Sequence, residues 1–214
     1  MTPEPARNAT APVLIIFARE PLAGQVKTRL AAALGAEGAA AAYRELIDAT
    51  LEYAVAARTQ GIVAAIEIWC TPDPASPYFH ALAECHGVQL RRQRDGDLGG
   101  RMSGAIADAL ARAPAAILIG TDCPAQGVAA LAAAVAALAE ADVVLGPAED
   151  GGFVLVAARI PLRFDGVRWS TAHTLRDTRS VLARAGLRWA ELPLSWDVDE
   201  PADLARWKAL RPDP

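Results

Sequence analysis

The sequence has little of what marks several protein classes. It holds three cysteines, Cys70, Cys85 and Cys123, with no CxxC spacing among them. That pattern excludes a disulfide framework and a zinc site, and it predicts free thiols in a reducing, cytoplasmic setting. No apolar run approaches the roughly 20 residues of a membrane span. The start, Met1 to Pro12, is polar and proline-bearing, without the basic and apolar segments of a secretion signal. It reads as a frayed tail. An excess of positive charge is also missing, since 21 Lys+Arg stand against 25 Asp+Glu for a net charge of -4. A mildly acidic chain has no global attraction for nucleic acid or an anionic membrane. Any phosphate site must then be a local cluster of basic residues.

What is present is a globular composition over 214 residues, 53 % hydrophobic and 21 % charged. That length suits one sizeable core. No repeat, charge block or linker divides it, so residues 13–214 are expected to form a single domain. Val13 to Phe17 is a short unbroken apolar run with β-branched residues, the pattern of a buried strand. A loop to Gln25 follows, then helical periodicity interrupted at Gly35, and a long Ala-rich helix from about Glu37 to Arg58. Strands near residues 62–70, 88–90, 115–120, 143–145, 153–157 and 187–192 then alternate with helices near 78–85, 99–112, 127–140, 172–185 and 202–210. The strand at 153 comes too soon after its predecessor for a crossover helix, so an antiparallel placement is open. Alternation of this kind predicts an α/β fold with a mostly parallel, doubly wound sheet and helices on both faces. Ligands of such sheets lie beyond the carboxyl ends of the strands.

Four constellations fall at those ends. The loop after the first strand carries Arg19, Lys27 and Arg29 around Gly24, beside the start of a helix. Local positive charge, approachable backbone and a helix N-terminus together suit phosphates, against the alternative of a turn with solvated basic residues. Asp122, in Gly120-Thr121-Asp122-Cys123-Pro124, follows a buried strand and is placed to hold a hard divalent cation. A helix cap is the competing role, and Cys123 reads as a buried bystander thiol. Asp150 precedes Gly151-Gly152, so it can serve either a tight Asp-Gly turn or an acceptor substrate, as ligand or general base. Asp197 and Asp199 alternate in an extended stretch and face opposite ways, one able to reach a metal and the other to cap the helix near Pro201. Gln93, Asp97 and Arg101 lie between a strand and a helix, where they could line a base or ribose pocket. Ser170 or Thr171 would cap a helix, with His173 an exposed helix residue.

Taken in order, these stretches resemble a bacterial transferase family with the GT-A, nucleotide-diphospho-sugar-transferase fold. That family is named from genome context as radical-SAM/selenodomain-associated transferases and as arsenosugar-biosynthesis glycosyltransferases. The matching residues are Phe17 to Pro21 with Gly24 and Val26 to Leu30; Gln93 with Gly96 to Gly99; Gly120 to Pro124; Gly146-Pro147 with Asp150 to Gly152; Trp169 to Thr171; and Asp197 to Asp199. The fold is shared with molybdenum-cofactor guanylyl- and cytidylyltransferases and phospholactate guanylyltransferase. The resemblance implies nucleotide binding by Ala18, Arg19, Gly24, Lys27, Arg29, Gln93, Asp97 and Arg101. It implies catalytic roles for Asp122 and Asp150, and Mg²⁺ or Mn²⁺ held by Asp122 with Asp197 or Asp199. Its partners would be a nucleotide sugar, or alternatively an NTP, and a small-molecule acceptor. The chain has Ala23 where the family often has a second proline, and it lacks the Gly-rich LAAGxGxRM opening of the nucleotidyltransferases. A non-catalytic nucleotide-binding module on the same fold is a third expectation.

Overall fold

The structure, a computed structural model, describes residues 11–210, so the first ten residues of the expected tail lie outside it. Seven strands alternate with six helices among those residues: β1 (Val13–Arg19), α1 (Thr28–Thr59), β2 (Ala65–Thr71), α2 (Pro77–His86), β3 (Gln89–Arg92), α3 (Leu98–Leu110), β4 (Ala116–Ile119), α4 (Gly127–Ala137), β5 (Val143–Pro147), β6 (Phe153–Ala158), α5 (Thr174–Arg184), β7 (Trp189–Glu191) and α6 (Pro201–Leu210). The strands form one sheet in the order β3-β2-β1-β4-β6-β5-β7. Pairing is parallel except where β6 meets β4 and β5, so β6 alone runs against the rest. The early strand at Phe153 is therefore the antiparallel one.

Strand composition explains the layering. Successive side chains of β1 point to opposite faces, and both faces are apolar. Leu14 and Ile16 join a core with Leu46 and Leu51 of α1, Phe79 of α2, Leu131 of α4 and Trp207 of α6. Val13 and Ile15 join the opposite core with Met102 and Ile106 of α3 and Leu182 of α5. The result is the expected sheet between two helical layers. Gly35, at φ 71 and ψ 168, breaks α1 into a short first segment, residues 28–34, and a long second helix, at the interruption expected from the sequence.

Among the described residues one carboxylate lies in the core. Glu67 on β2 is fully buried, accepting Trp69 Nε1 at 3.0 Å and Arg112 at 2.6 and 3.3 Å. Arg91 on β3 stands 3.4 Å away. The carboxylate is thereby compensated, as a buried charge must be, and it ties the end of α3 to the sheet.

The six co-directional strands put their carboxyl ends on one edge. The loop after β1, Gln93 after β3, Asp122 after β4, Asp150 after β5 and Asp197 after β7 all converge there. Among the described residues no helix is long and apolar enough to cross a membrane.

Candidate active site

The loop leaving β1 turns through Gly24 at φ 77 and reaches Lys27, which begins α1 in a left-handed conformation (φ 46, ψ 48). A non-glycine residue held there is a local strain, of the kind that gathers at functional sites. Its consequence is direct. Lys27 folds back into the cleft, only 6 % exposed, and its ammonium meets Asp122 Oδ1 at 2.7 Å, Asp199 Oδ1 at 2.8 Å and the Val198 carbonyl at 2.7 Å. Those three contacts match its three donors. Burial alone would lower the lysine's pKa, but Asp122 and Asp199 outweigh it and leave the pKa raised. Lys27 is thus a fixed cation that joins the end of β4 to the segment after β7.

Tyr43 of α1 supports the same junction from below. Its hydroxyl accepts the Arg19 backbone N–H at 3.2 Å and the Thr121 hydroxyl at 2.8 Å. Burial, then the nearby Asp122, pushes the phenol's pKa up. In the sequence Tyr43 is one more residue of the long Ala-rich helix. Nothing in its spacing signals the hydroxyl's role, which arises when α1 crosses under both loops.

On one side of Asp122 the cleft is basic. A hollow of about 300 Å³ is lined by Ala18, Arg19, Gln93, Arg101, Thr121 and Asp122. Gln93 is buried, donates to the Trp69 carbonyl at 2.7 Å and accepts Arg101 at 3.0 Å. The Arg101 Nε is buried without a hydrogen-bond partner. Arg19 donates to the Gln25 carbonyl at 3.3 Å. Among the described residues neither Arg19 nor Arg101 forms an ion pair with a carboxylate. Arg29 lines the adjoining hollow with Lys27, and its largely exposed guanidinium lies 3.6 Å from Asp199. Asp97 is placed differently: it caps α3 by accepting the Gly100 N–H at 2.7 Å. Gly24 shapes the loop without lining either hollow.

On the other side the cleft is acidic and aromatic. A cavity of about 360 Å³ is lined by Asp122, Asp150 and Asp197, with Phe17, Phe153 and Trp169 among its walls. Burial, then the charges of Asp199, Asp150 and Asp122, raises the Asp197 carboxyl to about 6. Asp150 accepts the Gly152 N–H at 2.8 Å, so the tight turn and the cavity position coexist. Gly151 is required here: at φ 85, a Cβ would stand 2.5 Å from the Ala172 carbonyl oxygen. Cys123 is buried, 3.1 Å from Ser195 Oγ, and burial raises its thiol pKa, as suits a bystander. At α6 the capping role falls to Asp203, which accepts the N–H groups of Asp199 and Glu200. His173 begins α5 with no side-chain cap, and Thr171 accepts its N–H instead.

The oxygen donors suit a hard divalent cation. Asp122 lends one oxygen to Lys27 and keeps a half-exposed side chain. Asp197 is half-buried among Asp199, Asp150 and Asp122, with its pKa raised first by that burial and then by their charges. Asp199 is held by Lys27 and Arg29 instead. Among the described residues no group of three His, Cys, Asp or Glu side chains is gathered for a metal. The donor set therefore fits Mg²⁺ or Mn²⁺ only with substrate oxygens completing the shell, which is how Mg²⁺ is commonly bound.

Sheet order and site edge define a protein of the nucleotide-diphospho-sugar-transferase, GT-A-like fold. A solved protein of Desulfovibrio desulfuricans G20, provisionally assigned as a nucleotide-diphospho-sugar transferase, matches with a TM-score of 0.81 and 29 % identity, over 91 % of this chain and 85 % of that one. A CMP:2-keto-3-deoxy-manno-octonic acid synthetase complexed with CTP matches at 0.60 and 14 % identity, over 94 % and 98 %. An inositol-1-phosphate CTP transferase from T. maritima matches at 0.55 and 12 %, over 92 % of both chains. The last two bear on the fold. No curated protein matches the sequence. The chain belongs to the family described as "Uncharacterized protein conserved in bacteria (DUF2064)", whose model matches residues 53–171.

Proposed function

We propose that the chain is a metal-dependent transferase that takes a glycosyl group from a nucleotide-diphospho-sugar to a small-molecule acceptor. The radical-SAM/selenodomain-associated transferases are its functional relatives in this reading. The observation that carries it is the division of one cleft at Asp122: Arg19 and Arg101, without acidic partners among the described residues, on one side, and Asp150 and Asp197, without basic partners among them, on the other. Arg19 and Arg101, lining a hollow beside buried Gln93, suit an anionic, hydrogen-bonding ligand such as a nucleotide. The 29 % identical transferase-fold neighbour, and the CTP complex of a more distant one, agree with that choice.

In this mechanism Arg19, Arg29 and Arg101 bind the nucleotide's charged and polar groups. Lys27 neutralises Asp122 and Asp199, holding both strand ends in place before substrate arrives. Asp122 and Asp197 would hold the cation, which when bound would offset charge developing on the diphosphate leaving group. Asp150, exposed at the cavity mouth, orients the acceptor hydroxyl and accepts its proton. The aromatic walls exclude water from the transferred group.

A second reading is nucleotidyl transfer from an NTP, favoured by the cytidylyltransferase neighbours. By-products separate the two. Incubation of the full chain with nucleotide sugars or NTPs, Mg²⁺ or Mn²⁺, and an acceptor panel should release nucleoside diphosphate. Release of pyrophosphate would replace the glycosyl reading with the nucleotidyl one. Binding without turnover of either donor would leave a non-catalytic nucleotide-binding module.

A further inference from the structure

The acidic cavity has a charge character that restricts what it can hold. Its walls include Phe17, Leu98, Met102, Phe153 and Trp169, drawn from β1, α3, β6 and the segment before α5. The indole is fixed by edge contacts to Phe164 at 5.5 Å and Phe153 at 6.1 Å. Gly99 makes room for it, since a Cβ there would lie 2.9 Å from Trp169 Cζ2. This is a rigid apolar face, suited to the flat side of a ring.

The polar side of the same cavity is almost wholly acceptor in character. Asp122, Asp150 and Asp197 line it, and among the described residues no Lys, Arg or His does. Two of the three lining hydroxyls are occupied by their own loop, Thr171 donating to the Arg168 carbonyl at 3.0 Å and Thr174 to the same carbonyl at 2.8 Å, which leaves Ser170 as the one neutral side-chain hydroxyl facing three carboxylates. Ionised carboxylates only accept hydrogen bonds, so the occupant must bring donors. Even with a divalent cation on Asp122 and Asp197, Asp150 keeps the mouth negative. All the basic side chains of the cleft lie across Asp122, around the other two hollows. A phosphate or carboxylate group on the occupant would meet like charge without a partner, which is costly at a partly desolvated site.

We infer that this cavity takes the acceptor, and that the acceptor is an uncharged or cationic ring-sized molecule bearing hydroxyl or amino donors and an apolar face, with anionic acceptors rejected. The volume of about 360 Å³ fits one substituted ring. This deepens the transferase reading and rests on it for the word acceptor, though the charge selectivity of the cavity stands on the side chains alone.

The test is saturation-transfer NMR on the full chain with Mg²⁺ and excess inorganic pyrophosphate to occupy the basic hollows, using three matched sets that change charge on a constant ring. These are glucose, glucosamine and glucose 6-phosphate; myo-inositol, its amino-deoxy analogue and inositol 1-phosphate; and benzyl alcohol, benzylamine and benzyl phosphate. In at least one set the neutral or amino member should bind about tenfold or more tightly than the phosphate. Asp150→Asn, which can retain the Gly152 contact, should narrow that gap about threefold, and Trp169→Phe should weaken the preferred members without inverting the order. Equal or tighter binding of the phosphate members would overturn the inference, as would failure of every set to bind. Calorimetry with a nucleoside diphosphate runs alongside: loss of nucleotide binding with charge selectivity intact removes the transferase reading and leaves the cavity's selectivity standing.

Discussion

Asp197→Asn should make the protein more stable, and only above a particular pH. The carboxyl is half-buried among Asp199, Asp150 and Asp122, with burial the leading cause of a pKa near 6 against an ordinary 3.8. A carboxyl whose pKa is raised by folding holds its proton more tightly in the native state than in the unfolded one. Stability therefore falls as pH rises from about 4 through about 6, and stays lower above that. The difference is about two pH units, and at ~1.36 kcal/mol per unit it caps the cost near 3 kcal/mol. Solvent screening at a half-exposed group cuts this to about 1 kcal/mol. For a chain of this size that is a rise of about 2–4 °C in melting temperature. Thermal melts of both proteins without metal should show the gain at pH 8 and none at pH 4. Added Mn²⁺ should stabilise the wild type and not the variant. A variant that is no more stable at pH 8, or whose advantage is the same at both pH values, would refute the reasoning.

Three further outcomes follow from the same geometry. Lys27→Met leaves Asp122 unpaired beside an Asp199 that keeps only the exposed Arg29, and should cost about 2–3 kcal/mol in denaturant melts while weakening nucleotide binding in calorimetry. Arg112→Ala removes the main partner of buried Glu67, and with Arg91 still nearby should cost about 2–3 kcal/mol by urea titration without changing nucleotide affinity. Gly151→Ala must displace the segment at Ala172. It should alter the near-ultraviolet signal of Trp169 and weaken binding in the acidic cavity by about tenfold, with little change on the basic side.

The fold was legible because its strands are short apolar runs bounded by turn residues, each followed by a helix-length segment. Even the reversed β6 showed itself, by the few residues between Leu145 and Phe153. Boundaries drifted where local chemistry decides them. The last strand is trimmed at its start, since Gly186 at φ 68 closes α5 and Leu187 donates back to the Leu182 carbonyl. Candidate residues were visible as charges at strand ends, but their division of labour was not. Lys27, grouped with the loop's phosphate-facing charges, is turned into the cleft by a left-handed backbone that its sequence neighbours do not announce. That turn settles which residue occupies Asp199, through contacts more than 170 positions apart in the chain. Tyr43 was hidden for the same reason: in sequence it is an ordinary helix residue, and only the crossing of α1 beneath both loops brings it to the cleft. Phe17 and Trp169 stood in the stretches that carry the resemblance, but their joining with Phe153 in one wall was not visible there.

The most direct measurement is calorimetric titration of a nucleoside diphosphate into the wild type and Asp122→Ala, each with Mn²⁺ and with a chelator. Asp122 lines both the basic and the acidic halves of the cleft, so wild-type affinity should depend on the metal and the variant's should not. Equal affinity for the two proteins in Mn²⁺ would contradict the role given to Asp122 and, with it, the transferase site built around it.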